Sequence, residues 1–187
     1  MRLIVGLGNP GREYENTRHN VGFAVIRELA KRHGAGTPRA RFDGELTEVQ
    51  IAGERCLLIR PLTFMNRSGQ CVLPTRDFYK VPDEQILVIC DDLSLPVARL
   101  RLRTKGSSGG QKGLDDILKR LSSDAIPRLR IGIGTPPPGW DAADYVLGRF
   151  SKEDAEAVTL AVGRAADATA DWVAQGIEFC MNRYNAS

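Results

Sequence analysis

Along the chain, unbroken apolar runs of strand length alternate with longer stretches in which hydrophobic side chains recur every three or four positions. Residues 2–8 form one such run and read as a buried strand, closed by the turn formers Asn9-Pro10-Gly11. Asn16 and Thr17 are both good N-caps, and beyond them Val21, Phe23, Val25, Ile26 and Leu29 keep helical spacing until Gly34. Residues 42–51 and 55–60 alternate as two strands around the turn Ala52-Gly53-Glu54. Thr63 is placed to cap a helix that reaches about Tyr79, before Pro82. Residues 85–91 hold the strongest apolar run, Ile86-Leu87-Val88-Ile89-Cys90, and residues 97–103 alternate once more. A glycine-rich loop at 106–110 then leads into a helix at 112–121 and a strand at 128–134. After the prolines 136–138 come a long helix from about 152 to 174 and a short one beyond Gly176.

Strands mixed with helices in this order predict an α/β fold. The expectation is a single domain, residues 1–187, with a twisted mixed central sheet and helices on both faces. Functional residues should gather where strands end in loops, along one edge of that sheet. A chain of 187 residues buries about 70% of its unfolded surface and needs no covalent or metal staple. Its 42% hydrophobic and 26% charged residues argue against disorder and against a coiled coil. No apolar run approaches the roughly 20 residues of a membrane-spanning helix, and residues 1–6 lack the long apolar stretch of a signal peptide, so a cytoplasmic protein is expected. Cys56, Cys71, Cys90 and Cys180 form no CxxC pair, and His19 and His33 are the only histidines. Such material suits buried thiols better than a zinc site, and no metal is expected.

Charge changes the picture through its distribution. Between Arg99 and Arg130, nine Lys and Arg stand against three Asp, a local charge of +6 in a chain whose net charge is +3. Arg99, Arg101, Arg103 and Lys105 alternate with apolar or small residues, so a strand would line them up on one face, and Arg128 and Arg130 repeat the pattern. A concentrated cationic row suits a polyanion, and the glycine loop beside it has free N–H groups for a phosphate. Cationic edge strands also guard sheets against aggregation.

Gly6-Leu7-Gly8-Asn9-Pro10-Gly11 satisfies GxGxxG after a strand, but no helix opens within it and no acidic residue ends a second strand about 20 residues on. A dinucleotide is therefore not the reading. Asn9 offers a donor and an acceptor together and suits recognition of a peptide amide. His19 sits where a helix should begin, and a helix N-terminus disfavours imidazolium, keeping the ring able to accept a proton. Asp91 ends the strongest strand and is suited to accept a histidine ring N–H, fixing tautomer and orientation. Asn66, after Phe64 and Met65, is placed to hold a substrate carbonyl or amide. Each has a plainer role open to it: a turn-forming Asn9, a solvent-facing His19, a loop-capping Asp91, a surface Asn66. No nucleophile elbow, HExxH helix or P-loop is present.

Taken together these motifs resemble the bacterial-type peptidyl-tRNA hydrolase family over nearly the whole chain. The segments carrying the resemblance are residues 5–11 with Tyr14 and 17–22, then 64–69, 91–96, 106–114 and 128–134. The resemblance implies a monomeric α/β hydrolase that cleaves the ester between a peptide and the 3′ ribose of tRNA, without metal or organic cofactor. By motif position it makes His19 the catalytic base, Asp91 its orienting carboxylate, and Asn9 and Asn66 the substrate-positioning groups, with Tyr14 and Met65 lining the crevice. Arg101, Arg103, Lys105 and Arg130 would then hold tRNA phosphates. One departure stands out: the family's histidine and asparagine after the glycine loop are here Gln111 and Lys112. Lys112 has three donors and no acceptor, so it suits a phosphate or an oxyanion rather than the amide's contacts. This departure leaves one rival, a non-catalytic RNA-binding or processing accessory protein on the same fold.

Overall fold

The computed structural model describes residues 1–186. Its strands are β1 (Arg2–Gly6), β2 (Arg39–Arg41), β3 (Gly44–Ile51), β4 (Glu54–Pro61), β5 (Ile86–Asp92), β6 (Leu100–Arg103) and β7 (Arg128–Gly132). Its helices are α1 (Val21–Arg32), α2 (Gly69–Tyr79), α3 (Lys112–Leu121), α4 (Ala142–Leu147), α5 (Lys152–Gln175) and α6 (Ile177–Tyr184). The strands make one seven-stranded sheet in the order β2-β3-β4-β1-β5-β7-β6. β1 runs parallel to β4 and β5, and β5 parallel to β7, whereas β2, β3 and β6 join antiparallel. The sheet is mixed and covered on both faces, as the pattern of the chain predicts.

Alternation along β1 shows how the two layers divide. Ile4 joins Leu58, Ile89, Leu129 and Trp172 under α1, α5 and α6, while Leu3 and Val5 join Leu57, Val88, Leu114 and Ile117 under α2 and α3. Every residue of β5 is buried, the signature of a parallel strand with helices on both sides. α1 crosses the end of β1 at backbone contact. A Cβ on Gly22 would lie 2.5 Å from the Leu7 nitrogen and from the Ile89 carbonyl oxygen, and one on Gly8 would lie 2.7 Å from the Phe23 ring. Gly6 and Gly8 of the GxGxxG pattern thus serve helix–strand packing, and this close approach carries the turn before α1 over the end of β5.

Two expected helix starts need correction. α1 begins at Val21, not at Asn16 or Thr17, because Asn16 adopts φ 62° and the Thr17 hydroxyl donates to the Tyr14 carbonyl at 2.8 Å instead of capping. Residues Arg18–Asn20 form a 3-10 turn before it. Likewise α2 begins at Gly69 rather than near Thr63, with a 3-10 turn over Met65–Arg67. Phe64, just before that turn, holds φ 60° and ψ 156°, a region nearly closed to residues with a Cβ, at a cost of about 1–3 kcal/mol. β2 and α4 have no counterpart in the sequence reading. α4 carried a legible signal, since the Asp141 side chain accepts from the backbone amides of Ala143 and Asp144 in its first turn, as an N-cap should.

Candidate active site

Loops that follow the carboxyl ends of the parallel strands β1, β4 and β5 supply the polar residues of one cleft. Asn9 follows β1, Met65 and Asn66 follow β4, and Asp91 lies at the end of β5. The cleft holds about 620 Å³, and the start of α3 and the turn of α4 complete its walls. Open α/β sheets bind ligands at this edge.

His19 and Asp91, 72 positions apart in sequence, meet inside it. The Nδ1 of His19 lies 2.8 Å from Oδ2 of Asp91. A buried carboxylate accepts, so Nδ1 carries a hydrogen, and in the neutral ring Nε2 is the nitrogen that keeps the lone pair. Asp91 is 3% exposed, and His19 lies at the cleft surface with Asn9, Met65 and Asn66. The neighbouring Asp92 lines the cleft as well, and accepts from Arg130 Nη1 at 3.2 Å and from the Ser94 amide at 2.7 Å.

Asn9 is held from three directions. Its backbone N–H donates to Asn20 Oδ1 at 2.8 Å, and Asn20 Nδ2 donates back to the Asn9 carbonyl at 2.9 Å. Its own Oδ1 accepts from the Met65 amide at 2.7 Å. That commits Oδ1 to the Met65 amide and leaves both Nδ2 hydrogens free, so Asn9 is set to meet substrate as a donor. Asn20, which sequence reasoning did not single out, is therefore the clamp of this loop.

Met65 is buried in the wall, Asn66 is exposed at the rim, and Phe64 stands 52% exposed beside them. Tyr14 does not line the cleft itself. It reaches the rim through Phe64, edge to face, with centroids 6.4 Å apart. Arg18 latches α4 to the histidine turn: its guanidinium donates to the Tyr145 carbonyl at 3.1 Å and lies 4.0 Å over that ring.

Gln111 and Lys112, the departures from the family pattern, both line the cleft. Gln111 caps α3 and donates to Asp91 Oδ1 at 3.0 Å. Lys112 is exposed in the first turn of that helix, and its ammonium has no side-chain partner among the described residues.

The basic segment divides in two. Arg101 and Arg103 point outward from β6, alternating with buried Leu100 and Leu102, and Lys105 is exposed beyond them. Arg101 pairs across strands with Arg130, and Arg103 with Arg128. The expectation that Arg128 repeats an exposed row is corrected, because it is 1% exposed and bonded to the carbonyls of Ile126, Ser107 and Asp124. Burial first, and Arg130 second, pull its guanidinium down from the usual range. Arg130 sits in the cleft wall, bonded to Asp92 and, at 2.9 Å, to the Ser107 carbonyl. The arginines of β7 thus tie down the glycine loop from beneath.

All four cysteines are free and buried. Desolvation pushes the Cys90 thiol up from its ordinary value to about 12, so it does not serve as a nucleophile. Among the described residues no group of three or more His, Cys, Asp or Glu is arranged to hold a metal ion, and no helix is long and apolar enough to cross a membrane.

A mixed α/β sheet that presents an aspartate-bonded histidine in a cleft at the carboxyl edge of its strands is an arrangement suited to general base catalysis. The family is set by comparison. The sequence pattern of the peptidyl-tRNA hydrolase family matches residues 3–187, and the chain belongs to that family. It is 52% identical to the peptidyl-tRNA hydrolase of Rhodopirellula baltica, over 100% of this chain and 98% of the relative. It is 49% identical to that of Geobacillus kaustophilus, over 99% and 100%. A crystal structure of peptidyl-tRNA hydrolase from Acinetobacter baumannii superposes with a TM-score of 0.93 at 38% identity, covering 100% of this chain and 95% of that one. The accessory-protein alternative finds no support in these matches.

Proposed function

We propose that the cleft hydrolyses the ester joining peptide to tRNA through a water molecule activated by His19. The reading rests on family membership together with one observation, the 2.8 Å contact that leaves His19 Nε2 free at the surface of the cleft. Nε2 takes a proton as the water oxygen attacks the ester carbonyl carbon, and a tetrahedral oxyanion forms. When it collapses, the bond to the ribose oxygen breaks and His19 returns the proton to that oxygen, leaving free tRNA and a peptide carboxylic acid, which loses its remaining proton to solvent. A ribose hydroxyl leaves more readily than an amine, so no covalent intermediate is required. Positioned base catalysis of this kind supplies about 10²–10⁴-fold.

The other roles follow from placement. Asn9 Nδ2 donates to a substrate carbonyl, and exposed Asn66 contacts the peptide at the rim. Lys112, at the helix N-terminus beside the cleft, faces the developing negative charge or a terminal phosphate. Arg101, Arg103 and Lys105 hold tRNA phosphates on the outer strand, giving affinity without sequence readout, with Arg130 at their inner end. The family resemblance supports action as a monomer, and tRNA as substrate supports a cytoplasmic site of work.

Turnover of N-acetyl-aminoacyl-tRNA tests the reading. Wild-type protein releases free tRNA, and His19→Ala lowers kcat by about 10²–10⁴-fold while it folds and binds tRNA normally. Near-normal turnover by this variant would remove His19 from the chemistry.

A further inference from the structure

The carboxamide of Gln111 is used at every polar atom. Its Oε1 accepts from the Leu114 amide at 2.7 Å, closing the N-terminus of α3. Its Nε2 donates to Asp91 Oδ1 at 3.0 Å and lies 3.1 Å from the Met65 sulfur. The orientation follows from chemistry: a backbone N–H can only donate, so the amide oxygen must face Leu114, and the NH₂ is left for the carboxylate.

Asp91 is 3% exposed, and the protein itself supplies a donor to each of its oxygens. His19 occupies Oδ2 and Gln111 occupies Oδ1. Donors from two separate elements, the turn before α1 and the start of α3, therefore grip opposite ends of one carboxylate and stop its rotation. Without Gln111, Oδ1 would be a buried acceptor with no side-chain donor, a state that costs about 1–3 kcal/mol and is relieved by turning the carboxylate away from His19. The capping role alone does not call for glutamine. Asp, Asn, Ser and Thr are better N-caps, but their shorter side chains do not span from the helix end to Asp91.

We propose that Gln111 is a positioning residue for the reaction: it fixes the Asp91 carboxylate so that the carboxylate can fix His19. The proposal rests on the hydrolytic role of His19 given above and adds a third member to the dyad, one that carries no titratable group.

Two substitutions separate positioning from capping. Gln111→Glu keeps a capping oxygen, and its charge favours a helix N-terminus, but it sets a carboxylate against Asp91. Gln111→Ser keeps a cap and cannot reach Asp91. Both should keep the wild-type melting temperature within a few degrees. Each should lower kcat about tenfold or more, with KM changed less than about twofold, because the loss is in the chemical step and not in binding. In an Asp91→Asn background the further loss from Gln111→Ser should vanish, since the group it acts through is already gone. Wild-type kcat in both single variants, or losses that multiply with Asp91→Asn, would overturn the proposal and leave the His19 mechanism standing. Should the wild-type protein itself fail to release tRNA, the hydrolytic reading falls and takes this proposal with it.

Discussion

The cleft and the outer edge of the sheet both bear charge, but they use it in opposite ways. In the cleft, Asp91, Asp92, Arg130 and Gln111 are bonded to one another or to backbone, and even Asn9 keeps only two hydrogens free. On β6, Arg101 and Arg103 share the alternating pattern of β7 yet have no partner among the described residues. The difference lies in what covers each strand. The glycine loop and the turn before β7 lie over Arg128 and offer it three carbonyls, whereas β6 is the last strand of the sheet and its outward face meets solvent. Similar sequence thus becomes scaffold in one strand and open surface in its neighbour.

The sharpest way to break this contrast is Arg128→Ala. It strands three carbonyls and frees the loop before α3, so it should cost about 2–4 kcal/mol of stability and lower Tm by roughly 5–10 °C in a thermal melt. A melt unchanged from wild type would make the two strands equivalent. Lys112→Ala comes next. If the ammonium meets the oxyanion, kcat falls about tenfold with KM steady; if it holds a phosphate, KM rises and the salt dependence of binding weakens. Arg101→Ala with Arg103→Ala should have the smallest effect on stability, within about 0.5 kcal/mol. Their signature is in binding: the slope of log affinity for tRNA against log salt should flatten by up to about two, and an unchanged slope would return both residues to a solvated edge.

Much of the scaffold is legible in the chain. β5 can be read because its apolar residues run unbroken into Asp91-Asp92, and α3 and α5 because their apolar stripes keep helical period. Helix starts are less so. Asn16, Thr17 and Thr63 have the chemistry of N-caps, but tertiary bonds and positive φ claim that stretch of chain, and both helices begin later. Alternation likewise tells which face Arg128 occupies and not that a loop lies over that face. The meeting of His19 with Asp91 has no local signal at all, since it depends on α1 crossing β1 at Gly22; family resemblance points to it, and the distance supports it. Gln111 reads in the chain as a lost histidine, and only its two bonds show what the longer amide reaches.

The last strand of the sheet also shows how this molecule ends its own hydrogen-bond ladder. Asn185, just after α6, donates from Nδ2 to the Leu102 carbonyl at 3.1 Å and accepts from the Leu102 amide at 2.7 Å. A single side-chain amide thereby stands in for the peptide group of an eighth strand. At the far side, β2 is only three residues long and carries Arg39 and Arg41. One border is plugged at Leu102 and the other is short and cationic, so an approaching chain finds little to zip onto while the arginines stay outward.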